Sequence, residues 1–332
     1  MRKFLCGLCS IILLITMCSC TNAENGSSVA TVASESELSK DAVSTPQTDS
    51  GEEKPDKPPT SSEESSSKEE TNDTKPPNIQ PPGLFSYTVN DAENTRGLDT
   101  KKHGFSYGVA KNGVPNQQSV INQQYFDSLE NIQALALDTK TQEKVMYLTF
   151  DNGYEYKNLT ADILDTLKEK NVKAAFFVTL SYAKKNPELI QRMIDEGHII
   201  GNHSASHKSY PTLTRTQMAE DIAKFENYVR ENFSYEGEYF RFPSGEYSEC
   251  ALDLVASIGF KSVFWSVAYA DWDTSVQKGA DYAFTTVTSR FHPGAVILLH
   301  AVSQDNADAL GRIIDHAHSQ GYTFKGLDDY FG

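Results

Sequence analysis

The chain has 332 residues, with 45 acidic against 30 basic side chains, and carries a formal charge of −15. Such an acidic protein repels phosphate backbones and anionic headgroups, which excludes nucleic-acid or membrane-surface binding driven by charge. Its length would allow two domains, but the composition shift near residue 84 points to one folded body behind a polar leader.

In chain order, Arg2 and Lys3 precede an apolar run from Phe4 to Met17 that is short for a membrane span. Residues 1–20 read as an export signal. Met17-Cys18-Ser19-Cys20 resembles a bacterial lipobox with Cys20 as the lipidated residue, although Cys18 stands where a small residue is usual. An ordinary cleaved signal and an uncleaved anchor are the alternatives. Two or three acyl chains on one cysteine would hold the protein to the membrane, whereas one chain alone is marginal. Residues 21–83 contain no aromatic residue and carry −8 of the formal charge. A segment of this composition cannot offset its ordering entropy, so a disordered acidic linker is expected, reaching roughly 40–50 Å. Four of the five cysteines lie in the signal, leaving Cys250 as a small buried residue with no disulfide partner and no cysteine-rich zinc site.

Residues 84–143 regain aromatics such as Phe85, Tyr107 and Phe126, but Gly, Asn and Gln interrupt every period. The expectation is an irregular, ordered extension packed on the main domain. From residue 144 onward strands and helices alternate. Val145–Phe150 predicts a strand, and Asn158–Lys170 a helix with Leu159, Ile163, Leu164 and Leu167 on one face. Ala174–Thr179 is the next strand. Asn186-Pro187 supplies a cap and first-turn proline for a helix that Gly197 ends. After a short strand at His198–Gly201, Thr214 and Gln217 form a capping box ahead of Met218, Ile222, Phe225 and Val229 at helical spacing. Strands at Tyr239–Phe242, Lys261–Val267, Ala295–Leu299 and Tyr322–Lys325 follow, with helices at Ser248–Ile258, Ala280–Arg290 and Asp305–Ser319 between them. This alternation predicts a parallel sheet covered by helices and leaves barrel and open sheet undecided.

Five segments carry the chemistry: Thr149-Phe150-Asp151-Asn152-Gly153, His203-Ser204-Ala205-Ser206-His207, Arg241-Phe242-Pro243-Ser244-Gly245, Asp271-Trp272 and Leu298-Leu299-His300. Each follows a short apolar run, which would set Asp151, both histidines, Arg241 and His300 on one rim of the sheet, where α/β folds keep their chemistry. An HxxxH pair alone is weak evidence for a metal. Asn152-Gly153 read alone is a hairpin signal, but the chain runs on into a helix and not into a second strand.

Residues 144 to about 328 resemble the catalytic domain of the carbohydrate esterase family 4 polysaccharide deacetylases, the NodB-homology domains, with all five motifs in family order. Within that family the muramic acid deacetylases of the delta-lactam pathway of the spore cortex are most similar. They share Thr149 to Glu155, Asp195 to His203, Phe264 to Ala268 and His300 to Leu310, and their extension resembles Gly104 to Leu129. The resemblance implies a distorted (β/α) barrel of about seven parallel strands over residues 144–332. It implies Asp151 as general base, His300 as general acid, Arg241 holding Asp151 ionised, and Asp271 as the acidic partner of His300. Asn152, His203 and His207 take the metal-ligand positions for one divalent ion: zinc, manganese, cobalt or magnesium. Trp272 and Leu298 would line the acetyl pocket, and the Pro243-Ser244-Gly245 turn would meet the substrate and offer a backbone N–H to the oxyanion.

Two positions depart from the usual family pattern: Asn152 replaces an Asp, a trait of the muramic branch, and Ser244 replaces an aromatic residue, which opens the groove. The implied reaction is deacetylation of muramic acid in peptide-free peptidoglycan strands, with an N-acetylmuramoyl-L-alanine amidase acting upstream. The implied protein is a monomeric lipoprotein on the outer face of the cell membrane, in the wall or cortex space. A deacetylase of N-acetylglucosamine in peptidoglycan or another glycan, and a catalytically silent glycan-binding protein, are the other readings.

Overall fold

The structure is a computed structural model and describes residues 85–332. The expected signal with Cys20, the linker 21–83 and Leu84 lie outside the described residues. Among the described residues no helix is long and apolar enough to cross a membrane.

The extension forms β1 (His103–Gly104), α1 (Gln117–Asp127) and β2 (Ala134–Leu135). Hydrophobic periodicity does not foresee α1, because its buried face is Ser119, Gln123 and Phe126. Gln123 works as a core residue through hydrogen bonds. Its Oε1 accepts from the N–H groups of Ala136 (2.7 Å) and Leu137 (3.1 Å), and its Nε2 donates to the Ala134 carbonyl (2.9 Å). A side chain that reads as polar on a hydropathy scale thus fastens α1 to β2.

The rest of the chain runs β3 (Val145–Asn152), α2 (Leu159–Glu169), β4 (Ala175–Val178), α3 (Leu180–Lys185), α4 (Pro187–Asp195), β5 (Ile199–Asn202), α5 (Arg215–Phe233), β6 (Tyr239–Phe240), β7 (Glu246–Tyr247), α6 (Glu249–Ser257), β8 (Lys261–Val263), α7 (Ala280–Thr288), β9 (Ala295–His300), α8 (Gln304–Ser319), β10 (Thr323–Phe324) and α9 (Asp328–Phe331). The central β3 pairs in parallel with β9 from Met146 to Asp151, with β4 from Thr149 to Asn152, and at its start with β10. Parallel pairing continues through β5, β6 and β8 to β2. A parallel bridge between Val267 and Ile297 brings the ring round to β9. Seven of these parallel strands come from residues 144–332, in a nearly closed, distorted barrel with helices outside.

Alternation along the strands separates two cores. Val145, Tyr147, Ala175, Phe177 and Val296 fill the barrel, whereas Met146, Leu148, Phe150, Phe176 and Ile297 pack outward under the helices. All of β3 is buried, as expected of a parallel strand covered on both faces. Strands β4, β6, β8 and β10 are shorter than their expected runs, β8 most of all. The run expected to pair through Val267 leaves β2 after Phe264, whose N–H donates to the Leu135 carbonyl, and rejoins the sheet on β9. There the N–H groups of Ser266 and Val267 both donate to the Val296 carbonyl, the crowding typical of a bulge. Asn186 also departs from expectation: it makes no side-chain cap for α4 and instead donates Nδ2 to the Tyr182 carbonyl, closing the unforeseen α3. The expected capping box of Thr214 and Gln217 is present at the start of α5, and Cys250 is buried and free.

Candidate active site

The C-terminal ends of β3, β5, β6 and β9 converge on one rim. Asp151 shares the inward face of β3 with Val145, Tyr147 and Thr149, so period two turns its carboxylate into the barrel mouth. Arg241, one residue past β6, reaches under it and is wholly buried. Its Nη1 donates to Asp151 Oδ1 at 2.8 Å, Nη2 to Thr149 Oγ1 (2.9 Å) and the Phe264 carbonyl (3.3 Å), and Nε to the Val263 carbonyl (3.0 Å). The Phe177 ring lies against the guanidinium, 4.0 Å away. Burial alone would raise the Asp151 pKa, but the charge of Arg241, with smaller help from His203 and His300, holds it below the usual carboxylate range.

The two histidines follow β5 on a loop that is tightly turned and not helical. Ser204 and His207 both take positive φ, 74° and 51°. Side chains that mimic a turn replace helical bonds. Asn202 Oδ1 accepts from the Ser204 N–H at 2.7 Å, Ser204 Oγ accepts from the His207 N–H at 2.7 Å, and Asp221 Oδ2 accepts from Ala205 and Ser206 at 3.1 and 3.3 Å. Asn202 in turn donates Nδ2 to Glu226 Oε1 at 2.8 Å, and burial pushes that carboxyl up to about 7. The His203 ring is buried, its Nδ1 on the Arg241 carbonyl (2.8 Å) and its Nε2 3.6 Å from Asp151 Oδ2. His207 stands at the exposed mouth, the two ring centres 4.9 Å apart. Burial drives the pKa of His203 down to about 4, and His207 shifts the same way.

His300 ends β9. Its Nδ1 meets Asp271 Oδ1 at 2.7 Å while its backbone N–H donates to Oδ2 of the same carboxylate at 2.8 Å. Asn306, one turn into α8, donates Nδ2 to that Oδ2 at 2.6 Å and is itself fixed by the Tyr269 hydroxyl. Burial opposes an imidazolium here, but the Asp271 hydrogen bond and charge, with Asp151 beyond, leave the His300 pKa above the ordinary imidazole value. With Nδ1 engaged, Nε2 is the nitrogen free to face a substrate.

A cavity of about 930 Å³ collects Asp151, His203, His207, Ser244, Gly245, Trp272, Leu298 and His300 on its walls. Arg241, Asp271, Pro243 and Asn152 lie behind the walls and not on them. Trp272 is 58% exposed, its ring 5.9 Å from that of His300, while Leu298 is 4% exposed. Ser244 is exposed and holds φ 56°. Pro243 has no N–H and that of Gly245 is spent on the Phe242 carbonyl, so the free donor of this turn is the Ser244 N–H.

Asn152 follows Asp151 and therefore points to the opposite face of β3. Its Nδ2 donates to Thr160 Oγ1 of α2 at 3.3 Å, and Tyr182, bonded to Glu155 and Thr160, closes that network. Its Oδ1 is buried with no hydrogen-bond partner among the described residues. Among those residues no group of three or more His, Cys, Asp or Glu side chains is arranged to hold a metal. Two imidazoles kept neutral at the cavity are nevertheless donors that suit a divalent ion, and the orphaned Oδ1 of Asn152, on the far face of β3, is a further oxygen donor behind the wall. Sequence reasoning missed Asn202, Asp221, Asn306 and Thr160, which set the loops and not the chemistry. Asp221 and Glu226 did leave a signal, as acids beside the apolar stripe of α5.

Comparison with known proteins places this geometry. Residues 138–263 match the polysaccharide deacetylase family profile, so Asp271 and His300 lie beyond the matched stretch. The chain is 43% identical over 220 residues to the peptidoglycan-N-acetylmuramic acid deacetylase PdaA of Bacillus subtilis, covering 66% of this chain and 83% of that protein. It is 36% identical over 190 residues to a peptidoglycan-N-acetylglucosamine deacetylase of Bacillus cereus, covering 55% and 67%. The solved structure of Bacillus subtilis PdaA, a family 4 carbohydrate esterase, aligns with a TM-score of 0.64 and 39% identity, covering 70% of this chain and 97% of that one.

Proposed function

The chain belongs to the polysaccharide deacetylase family, and from that membership we propose that it hydrolyses the N-acetyl group of muramic acid in peptide-free peptidoglycan strands. The observation that carries the reading is a pair of clamps at one cavity: a carboxylate whose pKa Arg241 lowers and an imidazole whose pKa Asp271 raises. Binding alone has no use for an acid and a base so prepared. The muramic assignment is supported by the 43% identity to a muramic acid deacetylase and by the exposed Ser244, which leaves room at the cavity for a lactyl ether.

His203 and His207 would hold the divalent ion of the family at the cavity, and Asn152 would join them only by turning its Oδ1 out from the far face of β3. Such an ion supplies a water of lowered pKa and polarises the acetamide carbonyl. Asp151 accepts the proton of the attacking water as its oxygen bonds to the acetyl carbon. The Ser244 N–H faces the resulting oxyanion, a role worth a few kcal/mol where such donors are preset. His300 gives its Nε2 proton to the nitrogen as the C–N bond breaks, releasing acetate and a free sugar amine. Removal of the stem peptide by an amidase must come first if that amine is to close on the lactyl carboxyl as a lactam. The proposal includes export and tethering through Cys20, which would keep the enzyme against its substrate.

Mass spectrometry of peptide-free and peptide-bearing strands, incubated with the protein and divalent metal, tests the reading with a His203→Ala control. Acetyl loss on muramic acid in peptide-free strands alone is the expected result. Loss on glucosamine instead would make the protein a relative in activity of the Bacillus cereus enzyme, and no loss with any metal would sink the hydrolytic reading.

The acid also sets a pH dependence. His300 acts protonated, so turnover falls as pH rises through its folded pKa, which lies above the ordinary imidazole value. Asp271→Asn removes the charge that raises that pKa and leaves the burial that lowers it. The alkaline limb of kcat/KM should move toward acid pH, with turnover at neutral pH falling roughly tenfold or more, part of the 10²–10⁴ that a positioned acid provides. An unmoved limb would separate Asp271 from the acid.

A further inference from the structure

We propose that Tyr107, from the segment ahead of the barrel, is a substrate-contacting residue that binds the sugar next to the one deacetylated. This deepens the function proposed above and rests on it. Tyr107 lies on the wall of the active-site cavity, although it precedes the family match that begins at residue 138. Both ends of its ring are fixed. The hydroxyl donates to the Ala268 carbonyl at 2.5 Å, and the ring stands edge-on to Trp265 at 6.4 Å. Ala268 and Trp265 are themselves cavity residues.

The segment carrying Tyr107 is strapped to the catalytic turn. His103 and Gly104 pair antiparallel with Tyr247 and Glu246, and the Phe105 N–H donates to the Gly245 carbonyl at 2.8 Å. Phe105 meets Trp265 edge-on at 5.1 Å, and a Cβ at Gly245 would lie 2.9 Å from Trp265 and 3.2 Å from Phe105. Tyr107 is therefore held in the same rigid unit as Ser244 and Gly245.

Its chemistry follows from what is left free. The hydroxyl is spent on Ala268, so Tyr107 offers a flat apolar ring suited to the C–H face of a pyranose. Pockets for a single drug-sized ligand run to about 1,000 Å³. A cavity of about 930 Å³ stands near that limit and has space beyond one amino sugar at Asp151. Trp265, Tyr269 and Trp272 line the same space, an aromatic surface of the kind that holds consecutive rings of a glycan.

The test compares the full chain with its Tyr107→Ala and Tyr107→Phe variants on N-acetylated peptidoglycan disaccharide and hexasaccharide. Affinity is read by tryptophan fluorescence titration, and KM and kcat by acetate release. Tyr107→Ala should weaken hexasaccharide affinity and raise its KM roughly tenfold, the scale of one lost aromatic contact, with little change for the disaccharide. Tyr107→Phe, which keeps the ring, should recover most of the loss. Unchanged hexasaccharide affinity in the alanine variant overturns the proposal, as does a fall in kcat and melting temperature together with KM unmoved. A wild-type chain that binds hexasaccharide but releases no acetate would defeat the hydrolytic reading while the affinities still judge Tyr107.

Discussion

Arg241→Met is expected to lower both stability and turnover more than any other single change at the site. The guanidinium is buried completely and Asp151 is 7% exposed, so the substitution strands a carboxylate in the barrel mouth. Breaking a buried ion pair from one side costs about 3–5 kcal/mol. Without Arg241 the burial of Asp151 dominates, the carboxyl pKa rises, and the 10²–10⁴-fold contribution expected of a general base falls away. Calorimetry and acetate release measure the two effects separately. Adding Asp151→Asn to the Arg241→Met chain should recover stability, because no charge is left to strand, and should recover no activity. A lone Arg241→Met chain that melts with the wild type would show that the pair does not hold the rim together.

His300→Ala carries the second large effect, and the leaving group decides its size. An amine departs from a tetrahedral centre only after protonation, so loss of the acid should cost roughly 10²–10⁴ on the glycan acetamide. A nitrophenolate leaves without a proton. On 4-nitrophenyl acetate the same variant should therefore lose far less, since Asp151 still activates water. Equal losses on both substrates would mean that His300 supports the cavity and transfers no proton.

Much of this architecture is legible in the sequence for a specific reason. The strands of the barrel are short apolar runs, and the helices between them carry stripes such as Leu159, Ile163, Leu164 and Leu167. The motif residues are exceptional in type, so Asp151, His203, Arg241 and His300 stand out. What escapes is built from ordinary polar residues. Gln123 ties α1 to β2 through hydrogen bonds. Asn202 and Asn306 set the loops while looking like any solvated side chain. The change of partner beyond Phe264 is invisible because both partners accept the same apolar run. The facing of Asn152 was available from period two: it stands next to Asp151 on a strand, and neighbours on a strand cannot share a face.

The pairing of β3 also dictates when this chain can finish folding. Its partner β4 lies close in sequence, but Met146 pairs with Ala295 and Val145 with Thr323, about 150 and 180 residues downstream. Contacts so distant are slow to form, because loop-closure entropy is spent before they repay it. The β3–β4–β5 pairs can form early, but the barrel cannot close before residues 295–324 are available, and a polypeptide threaded through a narrow channel N-terminus first would stay open until they had passed.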